Sequence, residues 1–268
     1  MREIRWQVGR TGVITPVAEL VPVALSGTTV ARASLFNPAE VPRQGLRRGD
    51  FVYLEKAGEI IPMIVGVNLD RRPEGAEPFA IPVACPGCRA PLGSSLAEAV
   101  IRCPQSDCPA RLLRRLEHFA SKSCAGIDGL GPALLEALVA GGRVRDVPDL
   151  YRLRRADLVA LGRLGEKSVD RLLAAIERSK QAELWRIVHG LGLPQVGPAA
   201  AKELARRHGT LAAMAASDPS VDVRNAARAL LEAGFPGEAS SRAGGLQPGA
   251  LTGKTLVLTG TLPTLTRA

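Results

Sequence analysis

Four of the five cysteines lie within twenty-four residues, at a spacing that could hold a metal ion. Cys85 and Cys88 form a C-x2-C pair; fourteen residues separate Cys88 from Cys103, and four separate Cys103 from Cys108. Two close pairs across a short spacer predict a tetrahedral Zn²⁺ site. Because four cysteine ligands leave no open position for water or substrate, the predicted site is structural rather than catalytic.

The spacing alone also allows two other interpretations of these cysteines, a disulfide pair and a redox-active C-x2-C. A redox motif of the thioredoxin type would need alternating strands and helices around it, and the pattern here lacks them. Cys124 falls outside the spacing, beside Phe119 and Ile127. It is interpreted as a small buried hydrophobic residue.

The overall charge favours a polyanionic partner. The chain has 268 residues, enough for two to four modules, with 35 Lys and Arg against 26 Asp and Glu, for a net charge of +9. Clustered cations attract phosphate, and arginine, which dominates here, suits phosphate better than lysine. Genome composition could also explain the arginine bias.

The chain shows no targeting or membrane signal. Its N-terminus is charged and has no apolar region of the signal-peptide kind. The longest apolar run, Ile60 to Val67, is interrupted by Pro62 and Gly66 and is too short to cross a bilayer. We therefore expect a cytoplasmic protein, in a compartment where structural disulfides are disfavoured.

The N-terminal part has strand patterns. Ile4, Trp6 and Val8 alternate with polar residues, and the segments Phe51–Lys56 and Ile60–Val67 predict a hairpin around Ala57-Gly58. The run Asn37-Pro38-Ala39-Glu40 is typical of a helix start. Five short strands with one small helix predict a small closed β-barrel, the OB-fold, over residues 1–70. The cysteine module is expected over residues 80–111.

From Leu112 onward the pattern is helical. Three apolar, glycine-containing turns recur at roughly thirty-residue spacing, each before an apolar helix face: Ile127–Gly131, Leu161–Gly165 and Leu191–Gly197. Glycine permits a tight turn and a close approach, and N–H groups at the start of a helix can bind phosphate. The pattern predicts an all-α domain of helix-hairpin-helix units over residues 112–235, which grips a DNA backbone without reading bases.

An ordered set of motifs makes a resemblance specific. The segments Val8–Ala18 and Lys56–Pro62, the cysteine module, His118-Phe119-Ala120-Ser121 and the glycine turns follow one another as in bacterial NAD⁺-dependent DNA ligases. Leu251–Leu262 resembles the first strand of their BRCT domain. The resemblance implies a multidomain α+β protein corresponding to a C-terminal portion, with a linker at 236–250 and the start of a truncated BRCT domain at 251–268.

The resemblance also implies a function. Ligases of this family seal single-strand nicks in duplex DNA during replication and repair, using NAD⁺ and Mg²⁺, and attach AMP to a lysine in a K-x-D-G motif. None of the six lysines here is followed by x-D-G. We therefore expect this chain to contain no catalytic residue, to bind nicked DNA as a monomer without reacting with NAD⁺, and to act with an adenylation domain of the full-length protein.

The family's motifs assign DNA contacts to particular positions. In the barrel, Arg10, Thr11 and Lys56 are expected to contact phosphates, and Ile60 and Ile61 to pack against sugars. One of these two isoleucines is expected to face the core, because adjacent strand residues point to opposite sides. In the helical domain the expected contacts are made by Gly129, Gly131, Gly165 and Gly197. A fourth hairpin near Val221–Arg224 has no glycine, so we expect it to contribute less to phosphate binding than the three glycine turns.

Two other functions fit parts of the pattern. One is a stand-alone, non-enzymatic DNA-binding scaffold recruited to repair sites. The other is a zinc-ribbon protein of the ribosome or the transcription apparatus, which would share the charge and the cysteines. The glycine-turn repeats argue against the second, since ribosomal proteins usually carry basic tails instead.

Overall fold

The computed structural model describes residues 1–58, 60–93 and 100–237. The predicted BRCT strand and nearly all of the predicted linker lie outside the described residues, and the domain boundaries stay predictions. The strands are β1 (Glu3–Val8), β2 (Val13–Leu25), β3 (Thr28–Ser34), β4 (Phe51–Ala57), β5 (Ile61–Asn68) and β6 (Ile101–Arg102). The helices are α1 (Glu40–Arg43), α2 (Pro109–Ala120), α3 (Pro132–Ala140), α4 (Arg155–Val159), α5 (Glu166–Ser179), α6 (Leu184–Gly190), α7 (Pro198–His208), α8 (Leu211–Ser217) and α9 (Val221–Glu232), with short 3₁₀ helices at Leu69–Arg71 and Val147–Arg152.

The N-terminal strands form one sheet in the order β1-β2-β3-β5-β4. Neighbouring strands run antiparallel except β3 and β5, which pair in parallel at Ser34 and Met63. A register shift interrupts the pairing of β2 with β3. The segments that precede β1 and β4 are joined by the Gly49 N–H, which donates to the Met1 carbonyl at 3.0 Å. The predicted small barrel of five strands and one short helix is confirmed.

The barrel has its own apolar core, because alternate residues along each strand point inward. In β1 the inward residues are Ile4 and Val8, as their spacing predicts. Aliphatic side chains dominate the core: Ile4, Ala18, Leu20, Val30, Ala33, Leu35, Val41, Leu46 and Ile64. The helix start predicted at Asn37 is close to the observed one, since the Asn37 side chain accepts a hydrogen bond from the Glu40 N–H at 3.2 Å.

The cysteine module packs onto the start of β2. Strand β6 pairs antiparallel with β2 through Ile14 and Ile101. A second small core joins the two parts, formed by Val8, Ile14, Cys85, Leu92, Ile101, Cys103 and Cys108. The module is therefore held to the barrel by backbone pairing and by shared apolar contacts.

The remainder of the described chain is helical. Helices pair across tight turns as α2 with α3, α4 with α5, α6 with α7, and α8 with α9. One continuous apolar core lies beneath them, and its largest fully buried side chains include Phe119, Leu135, Leu150, Met214 and Leu230. The predicted helical arrangement is confirmed, so the fold is mixed α+β. None of the helices in residues 1–58, 60–93 and 100–237 has the length and apolar character needed to cross a membrane.

Candidate metal centre and nucleic-acid interface

The four clustered cysteines bring their sulfur atoms within 4.8 Å of one another. Cys85 Sγ lies 3.9 Å from Cys108 Sγ, and Cys88 Sγ lies 3.5 Å from Cys103 Sγ. Four Zn–S bonds of about 2.3 Å in a tetrahedron give sulfur separations of about 3.8 Å. A disulfide would need about 2.05 Å, and all five cysteines are free. The donor set and its size therefore fit a zinc ion.

A glycine that the spacing does not single out lets the two cysteine pairs meet. Gly87 lies in the C-x2-C turn, and its N–H donates to Cys85 Sγ at 3.4 Å. A Cβ at Gly87 would lie 2.5 Å from the Cβ of Ala110 and 3.2 Å from Cys108 Sγ. Any larger residue would force the two halves of the module apart.

The thiols differ in how readily they ionise without a cation. Burial tends to raise the pKa of Cys85, but N–H groups of Cys88 and Gly87 lower that pKa to about 7. At Cys103 burial raises the pKa to about 12. Because the thiolate is the metal-binding form, a bound cation would supply the stabilisation that Cys103 lacks.

The module also supports the turn between β1 and β2, where Arg10 and Thr11 lie. The Cys103 N–H donates to the Gly12 carbonyl at 2.9 Å, and a Cβ at Gly12 would lie 3.2 Å from the Cys103 carbonyl oxygen. Arg111 Nε donates to the Arg10 carbonyl at 3.3 Å. The position of this turn thus depends on the folded cysteine module.

The barrel residues with predicted DNA contacts fall into two groups. Arg10 and the exposed Thr11 directly precede β2. Lys56 belongs to β4 and lies near the opposite end of β2. Lys56 Nζ donates to Thr28 Oγ1 at 2.8 Å and to the Ser26 carbonyl at 3.2 Å, in the hairpin that follows β2. The structure does not bring Lys56 together with Arg10.

The two isoleucines beside Lys56 are both on the surface. Ile60 is 80% exposed and Ile61 is 51% exposed. The expectation that one of them faces the core is wrong, because Ile60 belongs to the turn, where strand alternation does not apply. Both apolar side chains are therefore free to contact a ligand.

The glycine turns end at the N-termini of three helices. Gly131, Gly165 and Gly197 are the N-cap residues of α3, α5 and α7, and as glycines they have no side chain to cap these helices. Among the residues that the structure describes, none lies within 4 Å of a Cβ built at any of the three. An α-helix leaves its first N–H groups without an intrahelical partner, so these ends can accept an anion.

The turns themselves need unusual backbone conformations. Gly129 has φ +87°, in the left-handed region that favours glycine. In the third turn Gln195, which precedes Gly197 by two residues as Gly129 precedes Gly131, has φ +60°. In the second turn the residue with positive φ is Gly162. Arg10 lies against the third turn: a Cβ at Gly192 would be 3.5 Å from its Nη1.

The fourth helix pair is built differently. Helix α9 starts at Ser220, whose Oγ accepts a hydrogen bond from the Val223 N–H at 3.4 Å. The Ser220 N–H donates to Asp218 Oδ1 at 2.8 Å. Arg224 Nη1 donates to the carbonyls of Asp218 and Pro219, so this nitrogen already has partners within the chain.

Comparison with protein families shows which known domain the barrel resembles. Residues 1–76 match the family described as the NAD-dependent DNA ligase OB-fold domain. The barrel is thus similar to the OB-fold domain of these ligases. Residues 123–178, which contain the first two glycine turns of this ligase-like chain, match the SAM-like helix-hairpin-helix tandem.

Curated relatives of this ligase-like chain are DNA ligases. It is 49% identical to DNA ligase 1 of Opitutus terrae, covering 100% of this chain and 43% of that protein. It is 46% identical to DNA ligase 2 of the same organism, over 100% of this chain and 40% of the relative. It is 46% identical to the DNA ligase of Lactiplantibacillus plantarum, over 82% and 33% respectively. The chain thus spans about two fifths of the length of the first two relatives.

These comparisons confirm the resemblance to NAD⁺-dependent DNA ligases. They leave untested the individual DNA contacts and the metal ligands, which stay predictions. Two features of this ligase-like chain escaped sequence reasoning. The need for glycine at position 87 follows from contacts with α2, and the dependence of the Arg10 turn on Cys103 follows from backbone pairing between distant segments.

Proposed function

We propose that this chain is the DNA-binding portion of an NAD⁺-dependent DNA ligase, which seals single-strand nicks in duplex DNA. The observation that carries the proposal is the match of residues 1–76 to an OB-fold domain specific to these ligases. The helix-hairpin-helix match and the net charge of +9 support a phosphate-rich partner. NAD⁺ and Mg²⁺ serve an adenylation domain elsewhere in the full-length protein, since none of the lysines here lies in a K-x-D-G motif.

DNA contact involves both parts of the chain. The N-termini of α3, α5 and α7 face phosphates, because their N–H groups carry partial positive charge and their N-cap glycines keep the approach open. Gly129 shapes the first of these turns. Arg10 and Thr11 contact phosphates beside the third turn, while Lys56, Ile60 and Ile61 contact the backbone and sugars at the far end of β2.

Cys85, Cys88, Cys103 and Cys108 hold a structural Zn²⁺ in this account. The ion takes no part in the reaction; it fixes the module that supports the Arg10 turn. The sulfur separations and the fully buried Cys85 and Cys108 support this role.

Replacing Cys103 with Ser tests the zinc role. We expect the variant to lose one zinc ion per chain and to lose the fold of the module, because metal binding and folding are coupled at such sites. Elemental analysis and limited proteolysis measure the two effects. Ser106→Ala, at an exposed position in the same loop, is the matched control and should retain the metal. An unchanged zinc content in Cys103→Ser would refute the assignment.

Ligation in two parts tests the function. The chain alone should bind nicked duplex and acquire no label from NAD⁺ labelled in its adenylate. Supplied with a ligase adenylation domain, it should restore sealing of a nick. Covalent AMP on this chain alone would contradict the proposal. Binding without restored sealing would instead favour the stand-alone scaffold.

A further inference from the structure

A second cluster of metal-binding side chains lies away from the four cysteines. His118 near the end of α2, Cys124 in the following loop and His189 in α6 each place a candidate ligand atom within 4.8 Å of the others. Cys124 is fully buried, and His189 is 9% exposed. The site lies in the helical region, where α2 packs against α6.

The separation of His118 and Cys124 suits a tetrahedral ion. His118 Nε2 lies 3.7 Å from Cys124 Sγ. With Zn–S near 2.3 Å and Zn–N near 2.0 Å, a tetrahedral centre places sulfur and nitrogen about 3.5 Å apart. The two imidazole rings are perpendicular, with centroids 4.8 Å apart, so they are close neighbours and are not stacked.

One ring nitrogen in this cluster is buried without a partner. His189 Nδ1 has no hydrogen bond to any of the described residues, although it is shielded from solvent. Buried polar atoms are nearly always paired, and an unpaired one calls for an explanation. A metal ion bound to His189 at this nitrogen would supply the missing partner.

The backbone has been brought unusually close to the cysteine. A Cβ at Gly190 would lie 3.1 Å from the Cβ of Cys124 and 3.0 Å from the ring of Phe119. A side chain at Gly190 would require Phe119 or Cys124 to move by a few tenths of an ångström, so glycine favours this close approach of α6 to the loop. The residue next to His189 thus permits the contact that completes the cluster.

The imidazoles would bind a metal ion as neutral rings and Cys124 as its thiolate. The negative charge of the thiolate would offset the positive charge of Arg10, whose Nη1 lies, like the His118 ring, beside Gly192. His118 Nε2 lies 3.1 Å from the His189 carbonyl, so metal binding would replace that hydrogen bond.

We propose that His118, Cys124 and His189 form a second metal site, which binds one Zn²⁺ and leaves a fourth position for water. The ion joins α2, the loop that holds Cys124 and α6 directly before the third glycine turn. Its ligands come from segments about seventy residues apart, so it braces the helical region as the four cysteines brace the smaller module.

Counting metal ions tests the proposal. Untagged chain, loaded with Zn²⁺ or Co²⁺ under reducing conditions and passed through metal-free buffer, should retain two ions. Cys124→Ala and Cys103→Ser should each retain one, while the neighbouring Ser123→Ala should retain two. In the Co²⁺ form, Cys124→Ala should also lose the sulfur-to-metal absorption of a single thiolate.

The number of metal ions retained by the wild-type chain is itself a test of the second site. One ion per wild-type chain, or an unchanged count of two in Cys124→Ala, would overturn the second site. If circular dichroism shows that Cys124→Ala is misfolded, His189→Asn replaces it with the same expected loss of one ion. If only Cys103→Ser retains fewer metal ions than the wild type, the four-cysteine site is supported and the second site is excluded.

Discussion

Helices α3, α5 and α7 begin differently from α9. The first three start at glycines that have no side chain and no capping hydrogen bond, with open space where a Cβ would be. Helix α9 starts at Ser220, which caps the helix itself, and Asp218 accepts the N–H of Ser220. The same helix-turn-helix arrangement therefore has two kinds of N-terminus.

This difference distinguishes a helix that only packs into the core from helices whose N-termini are open to a ligand. Every helix N-terminus needs acceptors for its first N–H groups, supplied by a side chain, by water or by a ligand. In α9 the chain supplies them, and the helix still buries Val223, Ala227 and Leu230 in the common core. In the other three the N-cap residue supplies no acceptor side chain. We infer that the fourth pair contributes to the core while the first three bind phosphate.

The largest effect on binding is expected from Gly131→Asp. A carboxylate at the N-cap repels phosphate and occupies the same N–H groups, so affinity for duplex DNA should fall about tenfold or more, roughly 1.4 kcal/mol. Stability should not fall, since Asp is a good N-cap and Gly131 has open space. Electrophoretic or anisotropy titrations and thermal melting measure the two quantities.

Gly131→Asn is the matched control, because it blocks the same N–H groups without charge. Its loss of affinity should be smaller than that of Gly131→Asp. Unchanged affinity in a folded Gly131→Asp protein would remove the first turn from the interface and erase the distinction from α9.

A smaller effect is expected from Arg10→Ala. Arg10 lies beside the third turn, so its removal should weaken binding a few-fold and reduce the salt dependence by about one unit. Arg5→Ala removes the same charge from an exposed residue already paired with Glu19 and serves as the control. Equal losses in the two variants would show that only net charge matters.

The smallest effect is expected from Arg224→Asp. This arginine already donates to the carbonyls of Asp218 and Pro219, so it has little to offer a phosphate. DNA affinity should change less than about threefold, despite a change of two charge units near the helix, because a charge that does not contact the phosphates is weakened by screening at physiological salt. A loss exceeding that of Gly131→Asp would make the fourth pair functional and reverse the comparison.

Local signals made much of this fold predictable. The cysteine pairs are a few residues apart, so spacing alone identifies the cluster, and Gly131, Gly165 and Gly197 lie next to the helices they cap. The alternation of Ile4, Trp6 and Val8 likewise predicts β1. In each case the residues that act together are close in the chain.

Long-range contacts account for what could not be predicted. His118 and His189 meet only because α2 packs against α6, and no spacing relates them. Strand alternation failed at Ile60 because the end of the hairpin turn cannot be located to one residue from sequence. Lys56 and Arg10 belong to the same barrel, but Lys56, in β4, lies beside the hairpin that follows β2, whereas Arg10 precedes β2. The order of the motifs does not reveal this separation.

A salt titration of duplex binding by the unmodified chain tests the central claim most directly. Gripping phosphates releases condensed counterions, so the logarithm of the affinity should fall linearly with the logarithm of salt concentration, with a slope on the order of −3 or steeper. Nicked and intact duplexes of unrelated sequence should give similar slopes, since the turns contact the backbone. An affinity that does not change with salt would contradict the account.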